Sequence, residues 1–222
     1  MDELLMTVHQ IFIKDGAWLT LGKGLWTTVE ISLQALLWGT LLGALLCFIR
    51  LCRVKVLRIL AMGYIAVVRG APVLMLLMLL FYGLLARSGL EAVTVAIVAF
   101  SLHTAAHVAE LLRAALLATD PGLVEAARTL GFSRWQAFRL VTLPQIIRII
   151  RPVYQSTIVN LIQWTSVVGY ITISDLTRVV YNTASRTMQP MITLAGGMLI
   201  YIAISYCVYG IFALWEWREK GR

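Results

Sequence analysis

Side chains able to do chemistry are few in this sequence, and most stand among apolar neighbours. His103, His107 and Glu110 recur at i, i+4 and i+7, one stripe of a helix, with Thr104 beside them. Glu30 and Gln34 are one helical turn apart, and Asn160, Gln163, Thr165 and Ser166 cluster within a short stretch. Such groups can exchange hydrogen bonds with a zwitterionic solute. Each also has a plainer use. Glu110 and Arg113 at i and i+3 suit a local ion pair, and Asn160 and Gln163 suit bonds between helices. The two histidines have no third or fourth ligand near them in sequence, so no metal site is expected. No nucleophile stands beside a base, and no G-x-x-x-x-G-K-[ST] loop is present, so ATP hydrolysis cannot come from this chain.

The elements that carry these groups are read from the apolar pattern. Hydrophobic residues fill 60% of 222 positions and charged residues 14%, with a mean hydropathy of +0.84. A water-soluble domain needs more charge to cover its surface. Uncharged runs occupy residues 31–49, 92–109, 153–174 and 187–215, with lengths of 19, 18, 22 and 29. At about 1.5 Å of rise per residue, each can cross a hydrocarbon layer about 30 Å thick. A fifth run of 17 residues, 70–86, follows the apolar stretch 59–68 with Arg69 between them. We read 70–86 as a span and the stretch before it as a helical approach that leaves Arg69 at the cytoplasmic boundary. The expected fold is therefore all-α and integral to a membrane. It has five transmembrane helices, the N-terminus outside and the C-terminus cytoplasmic.

Charge supports that topology. With the N-terminus outside, 14 of the 19 lysines and arginines fall on inner segments and 5 on outer ones. The net charge of +8 is thus a positive-inside signature rather than a nucleic-acid surface. Residues 1–25 form an external or interfacial segment, in which Leu4, Leu5, Val8, Ile11 and Phe12 share one helical face. Asp2 and Glu3 stand where a secretion signal needs positive charge. Residues 26–217 form the transmembrane domain and 218–222 a cytoplasmic tail. Cys47 and Cys52 lie near the reducing face and Cys207 in the last run, so no disulfide is expected. Glycines such as Gly39, Gly43, Gly196 and Gly197 allow close approach of helices.

The outer connection at 87–91 is short, and the one from Asp175 to about Pro190 is a moderate loop. The inner loop, about 114–152, is too long for a turn and is read as folded. Asp120 caps a first helix with Pro121 at its first position. Leu123, Ala126, Ala127 and Leu130 then make an apolar stripe, and Gly131 stops the helix. Ser133 and Gln136 form a capping box for a second helix bearing Trp135 and Phe138, which Pro144 interrupts or ends.

Glu125-Ala126-Ala127, then Gly131, then Val141-Thr142-Leu143-Pro144 resembles the E-A-A-x3-G-x9-I-x-L-P signature of bacterial importer permeases, with only the isoleucine changed. Arg69-Gly70-Ala71-Pro72, the stretch Ala105 to Arg113, residues 24–33 and Thr165-Ser166 are similar to the polar amino-acid branch of that family. Ala71, His107, Ala114 and Leu123 depart from its common residues, as does Gln163-Trp164, where a lysine and a polar residue are frequent.

The resemblance implies the permease subunit of a binding-protein-dependent ABC importer with the type I fold, in the bacterial cytoplasmic (inner) membrane. Its loop would be the coupling helix, docking on a cytoplasmic ATP-binding subunit through Glu125, Ala126, Ala127, Leu130, Gly131, Trp135, Phe138, Leu143 and Pro144. ATP and Mg would be bound by that subunit, with no cofactor in this chain. A second permease subunit, alike or homologous, and an external substrate-binding protein complete the expected partners, with lipid and no nucleic acid. Glu30, His107, Glu110, Asn160, Gln163, Thr165 and Ser166 are the candidates for the cargo path. Two rivals are a self-sufficient secondary transporter, which would favour inverted repeats, and a membrane scaffold without transport.

Overall fold

The computed structural model describes residues 16–220. The expected interfacial helix through Leu4, Leu5, Val8, Ile11 and Phe12 lies outside the described residues. Among those described, every element is helical. The α-helices are α1 (Ala17–Leu51), α2 (Lys55–Gly70), α3 (Val73–Met78), α4 (Ala92–Ala118), α5 (Pro121–Thr129), α6 (Arg134–Ala137), α7 (Leu143–Trp164), α8 (Leu176–Thr187) and α9 (Pro190–Lys220). Wider π turns occupy Leu79–Leu84 and Phe138–Thr142, and a tighter 3-10 segment occupies Thr165–Ile171.

Three helices, α1, α4 and α9, are long and apolar enough to cross a bilayer. A fourth crossing exists if α2 and α3 with its π continuation are taken together as one broken span, bent by 111°. Where a span is expected at 70–86, the helical residues are Val73–Leu84, and they turn sharply from the helix before them. Pro72 explains the break. It has no N–H to continue α2, and it holds Ala71 in an extended conformation (φ −93°, ψ 141°). The run at 153–174 is not one helix either. The α-helix ends at Trp164, tightens into the 3-10 segment, and closes at Thr172 in the left-handed region (φ 69°).

Two further expectations change. The stretch from Asp175 to Pro190, expected as an outer loop, is mostly the helix α8. Asp175 caps it, accepting from the N–H groups of Thr177 and Arg178 at 3.0 and 3.1 Å, while Leu176, Val180, Thr183 and Ala184 form its buried face. The first helix begins at Ala17, well before the uncharged run, because Ala17 and Leu21 have a core to join. Charged Lys23 and Glu30 interrupt the run but not the helix.

The chain forms two compact units. Of the described residues, one comprises 16–36, 72–100 and 158–220. Its core joins Ala17 and Leu21 of α1 to Leu176 and Val180 of α8, with Ile200, Tyr201 and Ile204 of α9 packed on them. The Thr28 hydroxyl accepts the N–H of Leu176 at 3.2 Å, and the hydroxyls of Thr177 and Tyr201 meet at 2.8 Å. Beyond these contacts α9 is almost unburied within this chain.

The other unit comprises residues 37–71 and 101–157. Here α1 lies directly against α4. A Cβ built on Gly39 would stand 2.7 Å from Thr104 Cβ, and one on Gly43 2.7 Å from Val108 Cβ. The two glycines are four residues apart, so they make one smooth face for α4. Two hydroxyl contacts fix neighbouring helices: Thr40 with Tyr154 at 2.7 Å, and Tyr64 donating to the carbonyl of Leu102 at 2.7 Å.

This packing gives a stability prediction. Gly39→Ala and Gly43→Ala should each destabilise the protein by about 1–3 kcal/mol through overpacking. Gly63→Ala, in α2 with nothing within 4 Å of the new Cβ, should be neutral or stabilising by up to about 1 kcal/mol. Thermal inactivation midpoints in detergent compare the three; equal shifts would show that the α1–α4 approach is not what those glycines permit.

Candidate functional site

The loop at about 114–152 is the best-defined candidate, and its backbone hydrogen bonds define two capped turns. The N–H of Gly122 is accepted by the Asp120 side chain at 2.8 Å, with Pro121 at the first helical position. Such a cap is worth about 1 kcal/mol. At the other end of α5 the chain closes in a Schellman turn. The N–H of Phe132 reaches the carbonyl of Ala127 at 3.2 Å, and that of Gly131 reaches Arg128 at 3.1 Å. Gly131 is the left-handed residue (φ 89°) this turn requires. The Arg128 guanidinium donates to the carbonyl of Phe132 at 2.6 Å, tying the turn down from outside.

The capping box at Ser133 follows at once. Its hydroxyl accepts the N–H of Gln136 at 3.2 Å, and the Gln136 amide oxygen accepts the N–H of Ser133 at 2.7 Å. The second helix is only Arg134–Ala137 before it widens into the π turn. Of the two possibilities for Pro144, interruption is what occurs. The helical course continues into α7, and the N–H of Leu143 skips one place further back, to Phe138. That wider turn accommodates a residue with no N–H and a ring that crowds the preceding turn.

The result is a doubly capped elbow with exposed apolar side chains. Leu130 is 79% exposed and Trp135 67%. Leu123, Phe138 and Leu143 are also exposed, and the rings of Trp135 and Phe138 stack with centroids 5.8 Å apart. Ala127 is buried, while Glu125 and Ala126 are exposed. The elbow therefore displays a hydrophobic group that the described residues do not cover.

The polar residues of the apolar helices do not form one cluster. Glu30 accepts a long 3.4 Å bond from Gln34 and goes no further. Glu110 is engaged by two guanidinium groups: Arg113, as its spacing suggests, with Nε at 3.0 Å, and Arg50 at the end of α1. The Arg50 contact joins residues distant in sequence, and its only sequence signal is a basic residue in the last turn of the first helix. His103 is buried, and its ring centroid lies 4.8 Å from that of His107. Thr104 is packed against Gly39. Among the described residues no three His, Cys, Asp or Glu side chains come together in a way that could hold a metal ion.

On α7, Thr165 is buried and donates back to the carbonyl of Ile162 at 2.6 Å. Asn160 is exposed. Gln163 lines a cavity of about 510 Å³ with Tyr201, Ser205 and Tyr206 of α9, while Ser166 lines a different one of about 420 Å³. The α9 partners of Gln163 come from a helix that follows α8, so no local spacing announces them. Beside the second cavity, burial pushes the Asp175 carboxyl up, and the N–H groups of Arg178 and Thr177 pull it back.

Comparison with known proteins bears on the family and the fold. Residues 35–218 match the family described as "Binding-protein-dependent transport system inner membrane component". The chain is 36% identical over 184 residues to the probable amino-acid ABC transporter permease protein YckA of Bacillus subtilis (strain 168), covering 82% of this chain and 81% of YckA. It is 32% identical over 204 residues to the octopine transport system permease protein OccM of Rhizobium meliloti, covering 87% and 83%. Among solved structures, a crystal structure of an amino acid ABC transporter with histidines superposes with a TM-score of 0.81 at 30% identity, covering 90% of this chain and 94% of that one. With the family matched over most of the chain and the fold shared with a transporter of that kind, the protein belongs to the family of inner membrane components of binding-protein-dependent transport systems.

Proposed function

We propose that this permease imports a polar amino acid or a related compound, driven by a separate ATPase that docks on the elbow formed by residues 119–144. One observation carries the reading. The E-A-A signature stands on a doubly capped helix–turn–helix that leaves Leu130 and Trp135 exposed. An exposed aromatic held rigidly beside small residues is what an interface anchor requires. Glu125, Ala126 and Ala127 form the docking helix with Leu130, and Gly131 sets its angle. Trp135, Phe138, Leu143 and Pro144 form the second arm, continuous with α7.

The amino-acid cargo rests on the likeness to YckA, a probable amino-acid ABC transporter permease, and to the superposed amino acid ABC transporter. Membership of this family sets aside both the self-sufficient transporter and the scaffold. In the working complex two permeases, alike or homologous, pair with two ATPase subunits, and an external binding protein delivers cargo. The nearly unburied α9 provides surface for a second subunit and for lipid. Closure of the ATPase pair on ATP draws the two elbows together, and the helices that continue from them open the cargo path to alternate sides. That path includes Asn160 and Gln163, together with Glu30, His107, Glu110, Thr165 and Ser166.

We infer five crossings from the apolar runs, and their orientation from the charge distribution. A reporter active only outside the cytoplasm should work after Arg186 and fail after Arg128 or Arg222. The opposite pattern would reverse the topology.

Coupling has its own test. Gly131→Val forces a Cβ into the left-handed region at a cost of about 1 kcal/mol or more. Trp135→Ala removes an anchor worth about 2 kcal/mol or more. With Glu125→Lys, these variants should insert normally yet lose ATPase subunit during purification and lose vesicle uptake. Full retention and full uptake in all three would remove the elbow from the coupling path.

Cargo contact is read from Gln163→Leu and Asn160→Leu. Assembly with the ATPase should survive while uptake falls or changes selectivity. Unchanged uptake and selectivity at normal expression would make both residues packing elements.

A further inference from the structure

The cavity of about 420 Å³ beside Ser166 has a chemistry of its own. Its wall is formed by the 3-10 segment, through Ser166, Gly169 and Tyr170, and by one face of α8, through Thr177, Arg178 and Asn182. Among the described residues that line it, Arg178 alone is charged. One guanidinium nitrogen donates to the carbonyl of Gly169 at 2.6 Å. No carboxylate among the described residues lies within ion-pair distance of it, because the Asp175 side chain is spent on backbone N–H groups. A guanidinium carries five N–H donors in a planar fork. Fixing one nitrogen on a carbonyl orients the fork and leaves other donors toward the cavity.

The segment opposite is held under strain. It ends at Thr172, a β-branched residue at φ 69°, a conformation that such residues rarely adopt and that persists mainly where function requires it. Tyr82 supports the segment from α3's π continuation, donating to the carbonyl of Tyr170 at 2.9 Å. The cavity thus combines an oriented, unpaired cation with hydroxyl and amide groups on a braced wall.

We propose that this cavity is a carboxylate site on the external side of the permease, in which Arg178 receives the α-carboxylate of the cargo after the binding protein releases it. The proposal rests on the amino-acid reading above. A guanidinium fork pairs with a carboxylate through two parallel bonds, and the neutral Ser166, Thr177 and Asn182 add polar contacts without a competing negative charge. The same chemistry could be met by an acidic side chain of the docked binding protein, so the test separates the two sources.

The permease–ATPase complex is purified in nanodiscs, and tritiated L-amino acids are bound by scintillation proximity with no binding protein present. The amino acid bound most tightly is then competed with itself and with its α-carboxamide. In the wild-type complex the carboxamide should compete about tenfold more weakly or worse, as expected when a charged acceptor is lost. Arg178→Gln should weaken the acid about tenfold and abolish its preference over the amide, while Arg178→Lys keeps part of that preference. Docking of the liganded binding protein, read by its retention on the complex, should be the same in all three. Arg178→Gln with unchanged affinity and preference overturns the site. So does unchanged cargo binding with lost docking, which assigns the carboxylate to the binding protein. Should Arg178→Gln not assemble, Ser166→Ala and Asn182→Ala decide: an unaltered acid-over-amide preference in both overturns the site. Binding of no amino acid to the wild-type complex is a separate outcome, in which the amino-acid reading fails and takes the site with it.

Discussion

A peptide group inside hydrocarbon has no water to bond, so its N–H and C=O must find partners within the chain. In a single chain without a closed barrel, that leaves the helix, and every described element here is helical. The same constraint governs the irregular places. Where Pro72 ends α2, the N–H of Ala71 still reaches the carbonyl of Val67 at 3.0 Å. Where the 3-10 segment ends, Arg178 takes the carbonyl of Gly169. Where α8 starts, Asp175 and Thr28 accept N–H groups that no helical turn can satisfy. Each departure from the α-helix has a named partner for the groups it frees.

Those departures are also where the chain can act. Regular helices joined by short turns form a wall, whereas the broken span, the 3-10 segment and the π turns redirect side chains and backbone. The two π turns differ in setting. One continues α3 after the break at Pro72, and the other accommodates Pro144 between the elbow and α7. The second keeps the helical course continuous from Arg134 to Trp164.

Charge is used sparingly and placed at edges. Glu110 near the end of α4 holds Arg50 of α1 and Arg113 of its own helix, an arrangement in which a single carboxylate serves two cations. Farther along α1, Gly39 and Gly43 remove the side chains that would keep α4 away. Close backbone approach and a paired charge therefore act on the same two helices, one through dispersion contacts and the other through electrostatics.

How much of this was legible beforehand follows from the range of each interaction. The all-helical fold, the apolar runs at 31–49, 92–109 and 187–215, the Asp120 cap, the Gly131 turn, the Ser133–Gln136 box and the Glu110–Arg113 pair were all determined by the sequence. Each depends on residues within about one or two turns of one another. What only the tertiary structure decided depends on distant partners. The helix at 176–187 was readable in principle, from Asp175 and the spacing of Leu176, Val180, Thr183 and Ala184. Its polar surface hides that pattern until α1 and α9 supply something to bury against. The bend after Gly70, the tightening after Trp164, the second arginine on Glu110 and the separation of Gln163 from Ser166 into different cavities have no local signature. Periodicity reports which face of a helix is apolar, but which helix arrives at that face, and where a chain must bend to bring it there, is set by packing among segments far apart in sequence.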